Sequence, residues 1–288
     1  MLALDESLLQ VFNDNQSGSV AVLQQLTRAV LSFLVSEQDT KNAREILENR
    51  LLVIQKSLGH FAVVNHFLQY LEEKIYTAGD IEKELESLYD SVKNYDEFWR
   101  NANRKVAEVA SENLDCEGKT ILLHSNSSVV TSFFRKLAEN GVKVRVIQTE
   151  SRPVNEGRYQ AQILAGLGFS IDFIVDAATG FMIPEVDMAI TGADQIHKNY
   201  FVNKIGTHAL GLLCRESNVP MYVLADSRKI STIPGNPETL RRIFRPSQDI
   251  WNVMNERIHP INYYFEPVSS FLFTAIITEK TVIKPSEL

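Results

Sequence analysis

Four clusters in this chain combine residue types and spacings that could do chemistry. They are Glu150-Ser151-Arg152-Pro153 with Gly157-Arg158 after it, Gly192-Ala193-Asp194, Asn203-Lys204-Ile205-Gly206-Thr207, and the turn His124-Ser125-Asn126-Ser127-Ser128. Each follows or ends an apolar run that reads as a buried strand. In an open parallel sheet, groups just past the carboxyl ends of the strands converge on one crevice. Two guanidiniums, an ammonium, helix starts and one acid meeting there suit a phosphorylated small molecule. A reactive nucleophile or base is the piece missing from the set.

Each cluster carries an alternative. Arg152, on a loop stiffened by Pro153, can hold a phosphate bidentately, and Arg158 at the next helix start would complete a clamp. Alternatively the arginines form surface salt bridges with Glu150 or Glu156. Asp194 suits a general acid or base, or a turn aspartate. Lys204 is expected at a helix start, where the helix dipole disfavours it unless it faces an anion. Asn203 either donates to a ligand hydroxyl or caps that helix. The small polar residues after His124 cap a helix, expose N–H groups to an anion, or both. Gly118-Lys119-Thr120 is no phosphate loop: Asn113 stands where the motif needs its first glycine, and the segment precedes a strand. No Gly-x-Gly-x-x-Gly fingerprint occurs, so no nucleotide cofactor is expected.

The elements that must position these groups show in the apolar spacing. Up to about residue 112 the pattern is helical throughout: Val20, Leu23, Leu26, Val30 and Phe33 in one helix, then helices over 42–55 and 60–75. Gly79 breaks the chain and Asp80 can cap the next helix. A seam of Ile81, Leu85, Leu88, Val92, Tyr95, Trp99, Ala102, Val106 and Val109 predicts one long helix packed along a bundle. After Gly118, short apolar runs (120–123, 142–147, 171–175, 188–190, 221–224) alternate with helical stretches (129–140, 157–167, 204–217). That alternation predicts an α/β domain with a mostly parallel sheet over residues 113–288, following a helical domain over 1–112. Residues 227–262, with four prolines, read as loops able to cover a site or join an interface. Cys214 sits at an apolar helix position and reads as core, and His208 as structural or exposed.

Composition narrows the class. The 288 residues are 44% apolar and carry a formal net charge of −7, which argues against direct nucleic-acid binding. No run of eighteen apolar residues predicts a membrane span, and the first residues lack the basic start and apolar run of a signal peptide, so a cytoplasmic location is expected. Two distant cysteines, Cys116 and Cys214, offer neither metal-ligand spacing nor an expected disulfide.

In this order and spacing, Glu-Ser-Arg-Pro, Gly-Ala-Asp and Asn-Lys-Ile-Gly-Thr resemble the translation initiation factor 2B alpha/beta/delta family. The resemblance covers most of residues 80–288 and is strongest over 119–226; Asn262 to Leu288 is similar to the family's closing segment. The family joins regulatory subunits of the exchange factor to isomerases of methylthioribose 1-phosphate and ribose 1,5-bisphosphate. It implies an amino-terminal helical domain and a Rossmann-like domain, assembled as a homodimer or larger, with no cofactor. It also implies that Arg152, Gly157 and Arg158 hold a substrate phosphate. Asp194 is then the acid, and Asn126, Asn203 and Lys204 contact sugar oxygens or phosphate. The isomerases read His-Cys-Asn where this chain reads His124-Ser125-Asn126, so Ser125 stands in the place of the proton-moving cysteine. A thiol with a pKa of ~8.5 ionises near neutrality; a serine hydroxyl needs a neighbouring base. The family's amino-terminal Arg-Gly-Ala phosphate loop has no counterpart; residues 13–19 occupy its place. Alpha-type regulatory members commonly replace Asp194 by glutamate and often lack Arg152, whereas this chain keeps both. Two functions follow: a sugar-phosphate isomerase with Asp194 and Ser125 as catalytic residues, or a non-catalytic sensor or assembly subunit with a translation-factor partner.

Overall fold

A computed structural model describes residues 3–13, 19–36, 40–59, 61–77, 84–231, 235–242 and 245–288. The chain divides into two compact units, Met1–Ala102 and Asn103–Leu288.

The first unit is helical: α1 (Ala3–Phe12), α2 (Ser19–Ser36), α3 (Thr40–Leu58), α4 (Ala62–Thr77) and α5 (Glu84–Arg100). The expected helices over 42–55 and from residue 60 are α3 and α4. Helix α2 buries Val22, Leu23, Leu26, Val30, Phe33 and Leu34 and packs against α1, α4 and α5. Among the described residues it is the one helix long and apolar enough by composition to cross a membrane, and half of that stretch is buried inside the protein. The pattern is that of a bundle's core helix. The proposed cap at Gly79 and Asp80, and residues 14–18 of the amino-terminal loop, lie outside the described residues.

The seam expected as one helix is two. A turn at Asn101 separates α5 from α6 (Ala102–Asn113). Leu88, Val92 and Tyr95 are buried on α5, while Val106, Ala107 and Ala110 of α6 join the core under the sheet. One continuous spacing thus serves two cores. The division falls at Ala102, ahead of the expected boundary at 112, because the last helical turns pack with the sheet.

The second unit follows α6 with β1 (Thr120–Leu123), α7 (Ser128–Glu139), β2 (Arg145–Thr149), α8 (Gly157–Gly166), β3 (Ser170–Ile174), the short α9 (Thr179–Met182) and β4 (Met188–Thr191). Then come β5 (Gln195–His197), β6 (Tyr200–Lys204), α10 (Thr207–Glu216), β7 (Met221–Leu224), β8 (Phe265–Ser269), β9 (Ala275–Ile277) and β10 (Val282–Ile283). Seven strands form one sheet in the order β10-β9-β7-β4-β1-β2-β3. All neighbours are parallel except β10 on β9. Apolar residues alternate between its faces. Ile121, Leu123, Val146 and Ile190 meet Phe133, Phe134 and Leu164 on one side. Leu122, Ile147, Ala189 and Val223 meet Leu210 and Cys214 on the other. Strands buried on both faces explain the continuous apolar runs.

The sequence pattern did not indicate a second sheet, the antiparallel β5-β6-β8. It corrects one expectation. Asn203 and Lys204 do not open a helix; they end β6, and α10 begins three residues later at Thr207. The dipole argument for Lys204 therefore does not apply.

Candidate functional site

Strand order reverses at β1 and β4: β2 and β3 extend the sheet one way, β7 and β9 the other. The crevice at such a switch point is the ligand site of open α/β sheets. His124 and Ser125 leave the carboxyl end of β1 there, and Gly192, Ala193 and Asp194 leave β4 beside them. The end of β2 delivers Ser151 and Arg152, and β6 delivers Lys204.

His124 is buried, with Nε2 at 2.9 Å from the Ile205 carbonyl and Nδ1 at 2.7 Å from Thr149 Oγ1. A carbonyl only accepts, so Nε2 carries the proton and Nδ1 receives the threonine hydroxyl. Burial pushes the imidazole below its ordinary value; the Ile205 carbonyl, Asp176 and Glu156 oppose this, and Lys204 reinforces it. His124 is therefore a neutral positioning group. Ser151 Oγ, 3.0 Å from Thr149 Oγ1, accepts the Ser125 amide N–H at 2.7 Å. Gln148 Nε2 donates to the Ser125 carbonyl at 3.2 Å. These two tethers hold Ser125 at φ 73°, left-handed backbone that costs a residue with a Cβ about 1–2 kcal/mol.

This buried imidazole has a measurable consequence. A histidine whose folded pKa is lowered contributes fully above the unfolded value of ~6.5, and the contribution drains as pH falls below it. The protein is expected to lose up to about 1.4 kcal/mol per pH unit from this group between its unfolded and folded values. Urea midpoints measured over that range, in wild type and His124→Gln, check this: the variant lacks that part of the slope.

A carboxylate, Glu156, lies beside Ser125. Ser125 Oγ donates to Glu156 Oε1 at 3.1 Å, and Lys204 Nζ lies 2.7 Å from Oε1 and 2.8 Å from Oε2. Lys204 is almost wholly buried. Burial pushes its ammonium down, while Glu156, then Asp176 and Asp194, pull it up. Glu156 reaches this position because α8 starts hard against the end of β2: a Cβ on Gly157 would sit 1.9 Å from the Thr149 carbonyl oxygen. Only glycine allows that approach. Gly206, at φ +101°, likewise leaves room for the His124 ring, which a Cβ would meet at 3.0 Å. Glu156 is paired with Lys204, and among the described residues it forms no ion pair with Arg152 or Arg158.

The other expected residues fall as follows. Asp194 is half-buried on the loop after β4, near enough for its charge to act on Lys204. Asn203 is buried, and its amide donates to Thr191 Oγ1 at 2.8 Å and Thr207 Oγ1 at 3.0 Å, so those donors bind protein hydroxyls. Arg152 is exposed, with its backbone N–H on Asp176 and its guanidinium 3.3 Å from the Ile250 carbonyl. Arg158 is exposed on the first turn of α8, outside this hydrogen-bonded cluster, and Asn126 is exposed beside Ser125. The amino end of α10 is already filled: Glu266 accepts the N–H groups of Gly206 and His208 at 2.7 and 2.9 Å. That of α7 has no side-chain cap from Ser127, whose own N–H goes to Gln160 Oε1 at 2.8 Å.

Sequence spacing did not single out Glu156, Glu266 or Tyr264. The Tyr264 ring lies 5.0 Å from Lys204 Nζ and 5.2 Å from the Arg245 guanidinium; its hydroxyl donates to Asp249. The loop-rich stretch after β7 thus comes back over the site. Cys116 and Cys214 are both buried, and burial pushes their thiols up to about 11 and about 12. Neither replaces the thiol absent at position 125.

A helical unit followed by a mostly parallel sheet with a polar cluster at its switch point defines an α/β class of protein. Residues 6–285 match the family model described as the Initiation factor 2 subunit family, and the chain belongs to that family. It is 28% identical over 279 residues to the ribose 1,5-bisphosphate isomerase of Archaeoglobus fulgidus, covering 93% of this chain and 85% of that protein. It is 32% identical over 200 residues to the methylthioribose-1-phosphate isomerase of Thermotoga neapolitana, 64% of this chain and 58% of that protein. The solved structure of the Pyrococcus horikoshii OT3 translation initiation factor eIF-2B superposes with a TM-score of 0.85 at 25% identity, covering 98% of this chain and 97% of that one.

Proposed function

We propose that this protein binds a phosphorylated sugar at the β1–β4 switch point and isomerises an aldose phosphate to a ketose phosphate, with Asp194 as the acid. One observation carries the reading: the Ser125 hydroxyl, at the place where the sheet receives ligands, donates directly to a carboxylate. The named isomerases among the relatives support it. Arg152, the α7 amides and, at longer range, Arg158 suit the phosphate. Asp194 suits a proton transfer to a sugar oxygen.

A second reading, a non-catalytic subunit, draws on the internal commitments of the site. Lys204 is spent on Glu156, Asn203 on two threonines and the α10 amides on Glu266. Exposed Trp251, Met254, Ile261 and Phe271 suit contact with a second copy of the chain or a translation-factor subunit.

Thermal unfolding with ribose 1,5-bisphosphate, aldose 1-phosphates, unphosphorylated ribose and inorganic phosphate tests ligand class. A ligand at about a hundred times its Kd stabilises by about 2.7 kcal/mol. Stabilisation is expected with the sugar phosphates and not with ribose. Equal, null responses to all four contradict the reading.

A further inference from the structure

We infer that Glu156 is the proton acceptor for Ser125, so that Ser125, Glu156 and Lys204 together do the work of a self-ionising thiol. The inference rests on the isomerase reading and adds to it a residue and a route for the carbon-bound proton.

The geometry is specific. Ser125 is tethered at both backbone groups, so the origin of its side chain is fixed. That hydroxyl donates to Glu156 Oε1 at 3.1 Å. Glu156 is itself held by the buried Lys204 ammonium, within 2.8 Å of both oxygens. A salt bridge serving stability alone has no use for a serine strained into left-handed backbone beside it. A serine hydroxyl becomes a proton carrier only when an adjacent base takes its proton. Glu156 is in place to do so, and Lys204 holds the carboxylate that receives the proton. The other ionisable groups acting on this cluster are His124, neutral at the end of β1, Asp176 beyond β3, Asp194 beyond β4 and Tyr264 before β8.

The proton balance closes without a co-reactant. The C2–H bond breaks and its proton goes to Ser125 Oγ as the serine proton goes to Glu156. The electron pair forms the C1–C2 double bond while the ring oxygen leaves C1 and takes a proton from Asp194. In the return half the Glu156 proton passes back through Ser125 to C1. The C2 hydroxyl gives its proton to Asp194, leaving the C2 carbonyl. One proton leaves carbon and one returns, and nothing is oxidised or reduced overall.

The test compares wild type, Glu156→Gln, Ser125→Cys and the double variant for turnover of ribose 1,5-bisphosphate and aldose 1-phosphates. Glu156→Gln is expected to lose about a hundredfold or more in kcat, the usual contribution of a positioned base. Ser125→Cys restores most of that loss in the Glu156→Gln background, because a thiol of pKa ~8.5 needs no carboxylate. Rescue by a thiol is not expected if Glu156 only anchors Lys204. Removing Glu156 also leaves a buried ammonium unpaired, so the pH–rate profile provides a reading without that variant. Ser125→Cys is expected to show a kcat limb near the thiol value, and wild type to lack it. Wild-type turnover that persists in Glu156→Gln, or a double variant as slow as Glu156→Gln, overturns the relay alone. Absence of turnover in both wild type and Ser125→Cys overturns the isomerase reading and the relay with it.

Discussion

Asp194→Asn is expected to lower turnover by about a hundred- to ten-thousandfold while sugar-phosphate binding stays within a few-fold of wild type. Asparagine keeps the size and polarity of the side chain on the loop after β4 but cannot exchange a proton with a sugar oxygen. Its position beside β1 sets Asp194 across the switch point from Ser125, and its charge reaches Lys204. Removing that charge leaves Glu156 and Asp176 to hold the ammonium, so the pocket persists. The result appears as loss of kcat with a nearly unchanged KM in a steady-state assay, and as undiminished thermal stabilisation by ligand. Full turnover in Asp194→Asn assigns the acid elsewhere. Loss of binding instead of turnover makes Asp194 a ligand contact.

Asp226→Ala is expected to destabilise the sheet unit by about 3–5 kcal/mol, the typical cost of removing one partner from a buried ion pair. Asp226 lies just past β7 and is 1% exposed; its Oδ1 is 2.8 Å from Arg228 Nε and Oδ2 is 3.2 Å from Nη2. Burial alone pushes the carboxyl up, but Arg228, with help from Lys229, brings it below the usual carboxylate range. A carboxylate with a depressed folded pKa contributes above its unfolded value of ~3.9, and the contribution drains as pH falls towards the folded value. Alanine leaves the Arg228 guanidinium buried without that partner. The adjoining Lys229 donates to the Ala193 carbonyl on the loop bearing Asp194. Urea unfolding followed by Trp251 fluorescence in a Trp99→Phe background reads the sheet unit. A shift under about 1 kcal/mol would show that the pair adds little at neutral pH.

The parallel sheet was legible because its central strands are buried on both faces. Thr120–Leu123 and Met221–Leu224 stand out as short apolar runs, and β1 and β7 occupy those residues. The β5–β6 hairpin was not legible. Its strands are three and five residues long, and the apolar stretch around Ile205 to Leu213 drew Asn203 and Lys204 into the following helix. Strand β8 contains Pro267, which argues against a central strand, but β8 pairs only with β6 and lies at an edge, where proline is tolerated. The seam from Ile81 to Val109 keeps helical spacing across the Asn101 turn, so spacing alone could not show the break.

At the site, the strand-end clusters were legible as such: Ser125, Asp194, Lys204 and Arg152 all come to the carboxyl end of the sheet. Their pairings were not legible. Glu156 and Lys204 are 48 residues apart and meet only when α8 and β6 are both in place. Glu266 fills the α10 amino end from 60 residues away. Local sequence shows which groups leave each strand; it does not show which of them are spent on one another.

Phosphorus NMR of the wild-type protein incubated with ribose 1,5-bisphosphate and a panel of aldose 1-phosphates tests the central claim most directly. A new ketose-phosphate signal that grows with time, and is absent when Asp194→Asn replaces wild type, is the predicted result. Substrate signals that broaden or shift on binding without any product contradict isomerisation and leave a binding subunit. Spectra unchanged for every sugar phosphate contradict the ligand class itself.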